Sequence, residues 1–205
     1  MYGCQKSFQV CDGVYADDGL IHCSSERQGA YVLEHLRSRL KDCGLELHTD
    51  KTRLIYCADG FRRRKTDHST SFEFLGYEFQ SRRARSRKTG VMFNSFQPGV
   101  SRGVIRSMIY RIKYKWCLRN RVDLNLESIA REINAVVRGW LNYYGKFYKS
   151  VLYKLCKYLN QTLSFWSRHK YKRLYSKFVS CYDFVKAEYL KSPKLFAHWE
   201  FFKVY

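Results

Sequence analysis

Carboxylates are scarce in this chain: 18 Asp and Glu stand against 38 Lys and Arg, a formal net charge of +20 over 205 residues. So few acids cannot neutralise the cations internally. The excess calls for a polyanionic partner, because each phosphate neutralised by a cation releases bound counterions. An anionic membrane surface is the other partner such charge allows. Long apolar runs are missing, however, and no stretch approaches the roughly 18 apolar residues of a membrane span. No signal-peptide core follows Met1. The expectation is a cytoplasmic, nucleic-acid-associated protein with no membrane partner. The eight cysteines, at positions 4, 11, 23, 43, 57, 117, 156 and 181, form no Cys-x-x-Cys pair and have no matching His cluster. Scattered thiols of this kind read as core residues, so no zinc, no disulfide framework and no HNH-type nuclease module is expected. Internal repeats and low-complexity tracts are also lacking.

Aromatic side chains, in contrast, are abundant: 17% of the chain, with 17 Tyr and 14 Phe. Most of these rings suit helix packing. Those interleaved with Lys and Arg also suit stacking on unpaired bases between phosphate contacts. Near the start, Tyr15-Ala16-Asp17-Asp18 lies between two short apolar-leaning runs, which predict antiparallel strands joined by a tight turn. Adjacent carboxylates repel unless a cation lies between them. Magnesium, with its oxygen ligands and preference for phosphate-bearing substrates, fits such a turn, and so does an ordinary Asp-Asp-Gly reversal with no metal.

Further along, Ser25 to Gln28 has capping-box spacing, and Val32, Leu33, Leu36 and Leu40 recur at helical spacing until Cys43-Gly44. Leu45 to Leu47 and Leu54 to Cys57 read as strands flanking a polar turn that carries Lys51-Thr52. Phe72 to Phe79 begins as an alternating strand, with Gly76 where a bulge or a close backbone approach could occur, and Val91 to Phe93 is its expected return. Arg82, Arg83, Arg85, Arg87 and Lys88 put five cations within seven residues between them. A charge run of this kind is often only a solvated face; here mutual repulsion favours contact with phosphate. Arg62-Arg63-Arg64-Lys65 is a second basic loop. From Pro98-Gly99 onward strand signals give way to helical ones: a stripe within Ser101 to Arg119, a helix capped by Asn125, and another from Val151 to about His169. The fold class is therefore α+β, strands with one helix over residues 1–97 and a basic helical bundle over 98–205.

These motifs, in this order, resemble the C-terminal part of a group II intron reverse transcriptase, or maturase. Tyr15-Ala16-Asp17-Asp18 is similar to the catalytic turn of the palm, and Lys51-Thr52 to the family's Lys-Thr element. Phe74-Leu75-Gly76-Tyr77 resembles the primer-grip hairpin. Arg138-Gly139-Trp140 with Asn142-Tyr143-Tyr144 resembles the hallmark of the thumb, or X, domain. The resemblance implies RNA-directed DNA polymerisation and binding of intron RNA that supports splicing and mobility. It implies Asp17 and Asp18 as magnesium ligands, Lys51 at the incoming nucleotide's phosphates, and Tyr15, Leu75, Gly76 and Tyr77 at the primer end. For Lys51 the residues alone also allow a surface lysine after a turn. Arg82, Arg83, Arg85, Arg87, Lys88, Arg138, Tyr144, Lys146 and Lys149 are the candidate RNA contacts, with intron RNA and an RNA/DNA primer-template as partners.

The front of the chain departs from that pattern. The family's fingers and a further palm aspartate precede the turn by far more than the 14 residues found here, and Asp12 is the only acid among them. Asp12 should project from the opposite strand face to Asp17, which makes it a poor substitute. The expectation is a chain inactive as a polymerase alone, active with magnesium only if an upstream fragment completes the palm. A stand-alone RNA-binding maturase module without catalysis is the alternative.

Overall fold

The computed structural model describes residues 11–15, 18–58, 67–86, 88–171, 174 and 178–202. Strands β1 (Cys11–Tyr15) and β2 (Asp18–His22) pair antiparallel, with Tyr15 opposite Asp18, so the reversal between them is two residues long. Helix α1 (Glu26–Asp42) follows. Ser25 caps it by accepting from the Gln28 amide at 3.2 Å, while the Gln28 side-chain oxygen accepts from the Ser24 amide at 2.7 Å, one residue further back than a standard capping box. Gly44, at φ +73°, closes the helix, and the amides of Gly44 and Leu45 return to the carbonyls of Lys41 and Leu40. The two strands expected on either side of Lys51 do not form. Residues 45–48 join no strand among the described residues, and Ile55 makes a single parallel bridge to Ser69 through the Tyr56 amide. Leu54 instead packs against Gly29 on α1, where a β-carbon would come within 2.9 Å of its methyl.

A three-stranded antiparallel meander comes next: β3 (Ser71–Phe74), β4 (Tyr77–Arg85) and β5 (Met92–Val100). The single strand expected through Phe79 is thus a hairpin. It turns at Leu75-Gly76, where both residues have positive φ (51° and 78°), the pattern that matches the twist of two-residue hairpins. Phe72 and Phe79 stack across it, 4.7 Å between centroids and nearly parallel. The return strand is longer than Val91 to Phe93. It runs through Pro98-Gly99, pairs Val100 with Tyr77, and passes through Ser101, the N-cap of α2, into the helices without a linker.

The helical part comprises α2 (Arg102–Tyr110), α3 (Leu126–Tyr144), α4 (Ser150–Lys170), α5 (Phe178–Lys191) and the short α6 (Ala197–Phe201). The helix expected to run to Arg119 widens into a π turn over Arg111–Lys115 and ends at Cys117, which takes a left-handed conformation (φ 48°). Asn125 caps α3 as its sequence predicts, accepting from Ser128 at 2.8 Å. The stripes read from the sequence are the core. Ile129, Ile133, Val137 and Leu141 of α3 pack in one cluster with Leu155, Leu159, Leu163 and Trp166 of α4, and all are at most 2% exposed. Each such side chain contributes about 1.5–3 kcal/mol through burial. Helix α6 is fastened by polar groups as well: Asn134 of α3 donates to the Leu195 carbonyl and accepts from the Ala197 amide, and Asn160 of α4 accepts from Trp199 Nε1 at 2.8 Å.

Candidate nucleic-acid interface

The two most distinctive sequence motifs, 61 or more residues apart in the chain, meet in space. The Tyr77 hydroxyl donates to the Tyr143 carbonyl, and the Tyr143 hydroxyl donates in return to the Leu75 carbonyl at 3.2 Å. The Tyr77 ring sits 5.5, 5.3 and 5.5 Å from those of Tyr143, Tyr144 and Phe147. A β-carbon at Gly76 would lie 2.7 Å from the Tyr144 hydroxyl, so the close approach that glycine permits there is made by Tyr144. Leu75, a branched residue in the left-handed region, is held by the Tyr143 bond on its carbonyl and by the neighbouring Gly76 carbonyl, which accepts from Ser101 at 3.0 Å. Burial raises the Tyr77 and Tyr144 phenols above their usual range, with the adjoining phenols adding to the effect, so both remain neutral donors. The hairpin is thereby locked to the C-terminal end of α3. Tyr144, expected as an RNA contact, is largely committed to this joint.

The basic candidates divide by strand face. Arg82 is half-buried, pairs with Glu78 at 3.2 Å, lies over the Tyr148 ring at 5.0 Å and rests on Gly99. It ties the hairpin to the segment after α3. Arg83, Arg85 and Lys88 are exposed; Arg85 also donates to the Gly90 carbonyl at 3.2 Å and shapes the hairpin tip. Beside these cations Val91, Met92 and Phe93 are exposed, giving the tip an apolar edge. On the helical side Arg138, Lys146 and Lys149 are exposed, and Lys149 stands 5.1 Å from the Phe201 ring. Among the described residues Arg83, Lys88, Arg138 and Lys146 have no carboxylate partner.

At the acidic turn, Tyr15 is 63% exposed and Asp18 is exposed beside it. Lys51 is exposed on its own turn, its amide bonded to the His48 carbonyl at 3.2 Å. Asp17, Arg87 and the basic loop at 62–65 lie outside the described residues. No group of three or more His, Cys, Asp or Glu side chains that could hold a metal is assembled among the described residues. Nor is any helix among the described residues long and apolar enough to cross a membrane.

One feature escapes sequence reading altogether. A groove of about 200 Å³ opens between α3 and α6, lined by Arg138, Leu141, Asn142, Ala197, Glu200 and Phe201. Arg138 and Asn142 stand one helical turn apart, and that spacing was legible. Glu200 and Phe201 arrive from the far end of the chain, in an aromatic stretch with no helical periodicity to place it.

Comparison with known families agrees with the order of these elements. Residues 3–79 match the reverse transcriptase (RNA-dependent DNA polymerase) model, and residues 105–182 match the group II intron maturase-specific domain. No curated protein and no solved structure matches the chain. With the polymerase match preceding the maturase match, and the two covering most of the sequence, the chain belongs to the group II intron reverse transcriptase/maturase family.

Proposed function

We propose that these residues grip intron RNA and its primer-template, using the exposed cations of the β4–β5 hairpin and those of α3 and the segment just after it, joined through the aromatic contact. The observation that carries this reading is the joint itself. By locking the hairpin to α3, it holds Arg83 and Lys88 of the hairpin, Arg138 of α3 and Lys146 just beyond the end of α3 within one framework, and no described carboxylate competes for them. Cations fixed on a framework lose little freedom on meeting phosphate, and neutralised phosphates make the affinity strongly salt-dependent. In this reading the protein stabilises folded intron RNA for splicing, and the basic surface explains its association with nucleic acid.

Polymerisation is the second role, favoured by the two-residue reversal that presents Tyr15 and Asp18 at a hairpin tip. Asp17 and Asp18 would share magnesium there once an upstream reverse transcriptase fragment supplies a further carboxylate. The ion would supply charge neutralisation at the phosphates, and Lys51 would add a cation.

Fluorescence anisotropy on intron RNA across a salt series tests the first role. Replacing Arg83, Lys88, Arg138 and Lys146 with Ala should weaken binding and lower the slope of log affinity against log salt by roughly 0.7–0.9 for each phosphate contact removed. Asp17→Asn should leave affinity unchanged or slightly tighter. An unchanged slope in the quadruple variant would sink the RNA grip, whereas primer extension abolished by Asp17→Asn would make polymerisation the leading role.

A further inference from the structure

The groove between α3 and α6 has a composition that the phosphate-gripping surface does not explain. Its floor is apolar, with Leu141 and Ala197 both buried, and its wall is the half-buried Phe201 ring. That ring is seated against Gly145, where a β-carbon would come within 2.3 Å of it, and meets the Phe202 ring at 5.0 Å. Around the rim stand Arg138, Asn142 and Glu200, and among the described residues none of their side chains makes a hydrogen bond or an ion pair. An arginine and a glutamate facing one groove without pairing leave room between them. An apolar floor, one aromatic wall and a few convergent polar groups is the usual make-up of a small-ligand site.

We propose that this groove receives the base of an unpaired guanine in the bound RNA. The inference rests on the RNA-binding reading above and adds the class of base to it. Glu200 decides the chemistry. A carboxylate repels phosphate, so an acid at this point on so basic a chain selects against the backbone and for hydrogen-bond donors. Among the bases, guanine alone offers a carboxylate two neighbouring donors, its N1–H and N2–H, on the Watson–Crick edge. Adenine and cytosine set a ring acceptor beside the amino group, and uracil flanks its single N–H with two carbonyls. The other edge of guanine carries the O6 and N7 acceptors, which suit a guanidinium. With Glu200 on α6 and Arg138 and Asn142 on α3, a base lying between the helices presents its donors to one side and its acceptors to the other. Phe201 supplies the ring against which an extruded base stacks, as single-stranded RNA recognition requires.

The test is anisotropy with a uridine oligonucleotide carrying one central guanosine, beside the same oligonucleotide with inosine, with adenosine and with uridine only. Inosine lacks the N2 amino group and keeps every other edge atom. The guanosine oligonucleotide should bind about tenfold tighter than the others. Glu200→Gln should abolish that preference while leaving the salt slope unchanged, and because Glu200 is exposed the variant should fold normally. Phe201→Leu should weaken the guanosine oligonucleotide more than the uridine one. Equal binding of all four, or a guanosine preference that persists in Glu200→Gln, overturns the guanine site and leaves the phosphate grip standing. If even the uridine oligonucleotide fails to bind with a steep salt dependence, the RNA-binding reading itself has failed and the guanine site falls with it.

Discussion

The residues before Val100 and those from Val100 onward are stabilised in different ways. From Val100 the apolar stripes of α3 and α4 close on one another in a continuous core that includes Phe196 and Trp199 from the far end of the chain. Before it, Tyr77 is the one strongly buried apolar side chain among the described residues, and the helices bury it. The stripe of α1, Val32, Leu33, Leu36 and Leu40, has the same periodicity as that of α3 yet is only half-buried among its described neighbours. Amphipathic pattern therefore fixes where a helix forms, while the depth of its burial depends on what lies opposite. The part matched by the polymerase model carries the acidic turn on a lightly packed frame. The part matched by the maturase model is continuously packed, and from it the hairpin gains its one deep contact among the described residues.

Paired truncations would break this comparison most directly. Ile133→Ala, in the centre of the helical core and 1% exposed, should cost about 3–4 kcal/mol in urea unfolding. Leu36→Ala, on the half-buried stripe of α1, should cost about 1 kcal/mol or less. Equal costs would show that α1 is packed as tightly as α3, and the contrast would be lost.

The same difference explains what could be read from the sequence. The helical stripes, the Asn125 cap, the Gly44 terminus and the reversal between Tyr15 and Asp18 all rest on local periodicity or on one residue's conformational preference, and all are present. The strands expected around Lys51 are not formed because a strand needs a partner, and β-propensity at Leu45 to Leu47 cannot say that no described strand lies opposite. The alternation from Phe72 to Phe79 predicts a strand with Gly76 as a bulge, and it does not show the reversal at Leu75-Gly76, because Leu75 is an improbable residue for a positive φ. The Tyr143 hydroxyl that holds it is 68 residues away. Of the interface, the exposed cations of the hairpin and α3 were legible as a basic run and a motif. The structural duty of Arg82 and the place of Glu200 depend on tertiary neighbours that no spacing reveals.

The deep burial in the helical part can be probed through pH. His198 is fully buried; its ring nitrogen Nε2 lies 2.7 Å from Asn160 Oδ1, and Nδ1 has no partner among the described residues. Among the described residues its hydrogen-bond and ring-contact neighbours are Asn160, Trp199 and Phe196, none of them charged. Burial pushes its pKa down to about 3 from an ordinary 6.5. Between those values the unfolded chain binds a proton that the folded chain refuses, so stability is full above pH 6.5 and falls as the solution is acidified. By pH 5 the loss should be about 2 kcal/mol. Thermal unfolding between pH 6.5 and 5 should show this slope, and His198→Leu should flatten it whatever its effect at neutral pH. A slope that survives the substitution would assign the acid sensitivity to other groups.

The smallest effect separates packing from function within a single pair of glycines. Gly76 has a positive φ and the Tyr144 hydroxyl 2.7 Å from where a β-carbon would stand, so Gly76→Ala should destabilise by roughly 1–3 kcal/mol and loosen the hairpin from α3. Gly139 is the opposite case. It lies inside α3, exposed, and a β-carbon there would meet nothing within 4 Å. No contact inside the fold needs it, and a mid-helix glycine costs about 0.5–1 kcal/mol relative to alanine. Gly139→Ala should therefore raise stability by that amount. Beside Arg138 and one turn from Asn142, an added methyl would also obstruct whatever approaches this face of α3, so RNA affinity should fall as stability rises. Gain of stability with unchanged affinity would instead place the bound RNA away from Gly139, on the hairpin side of the joint.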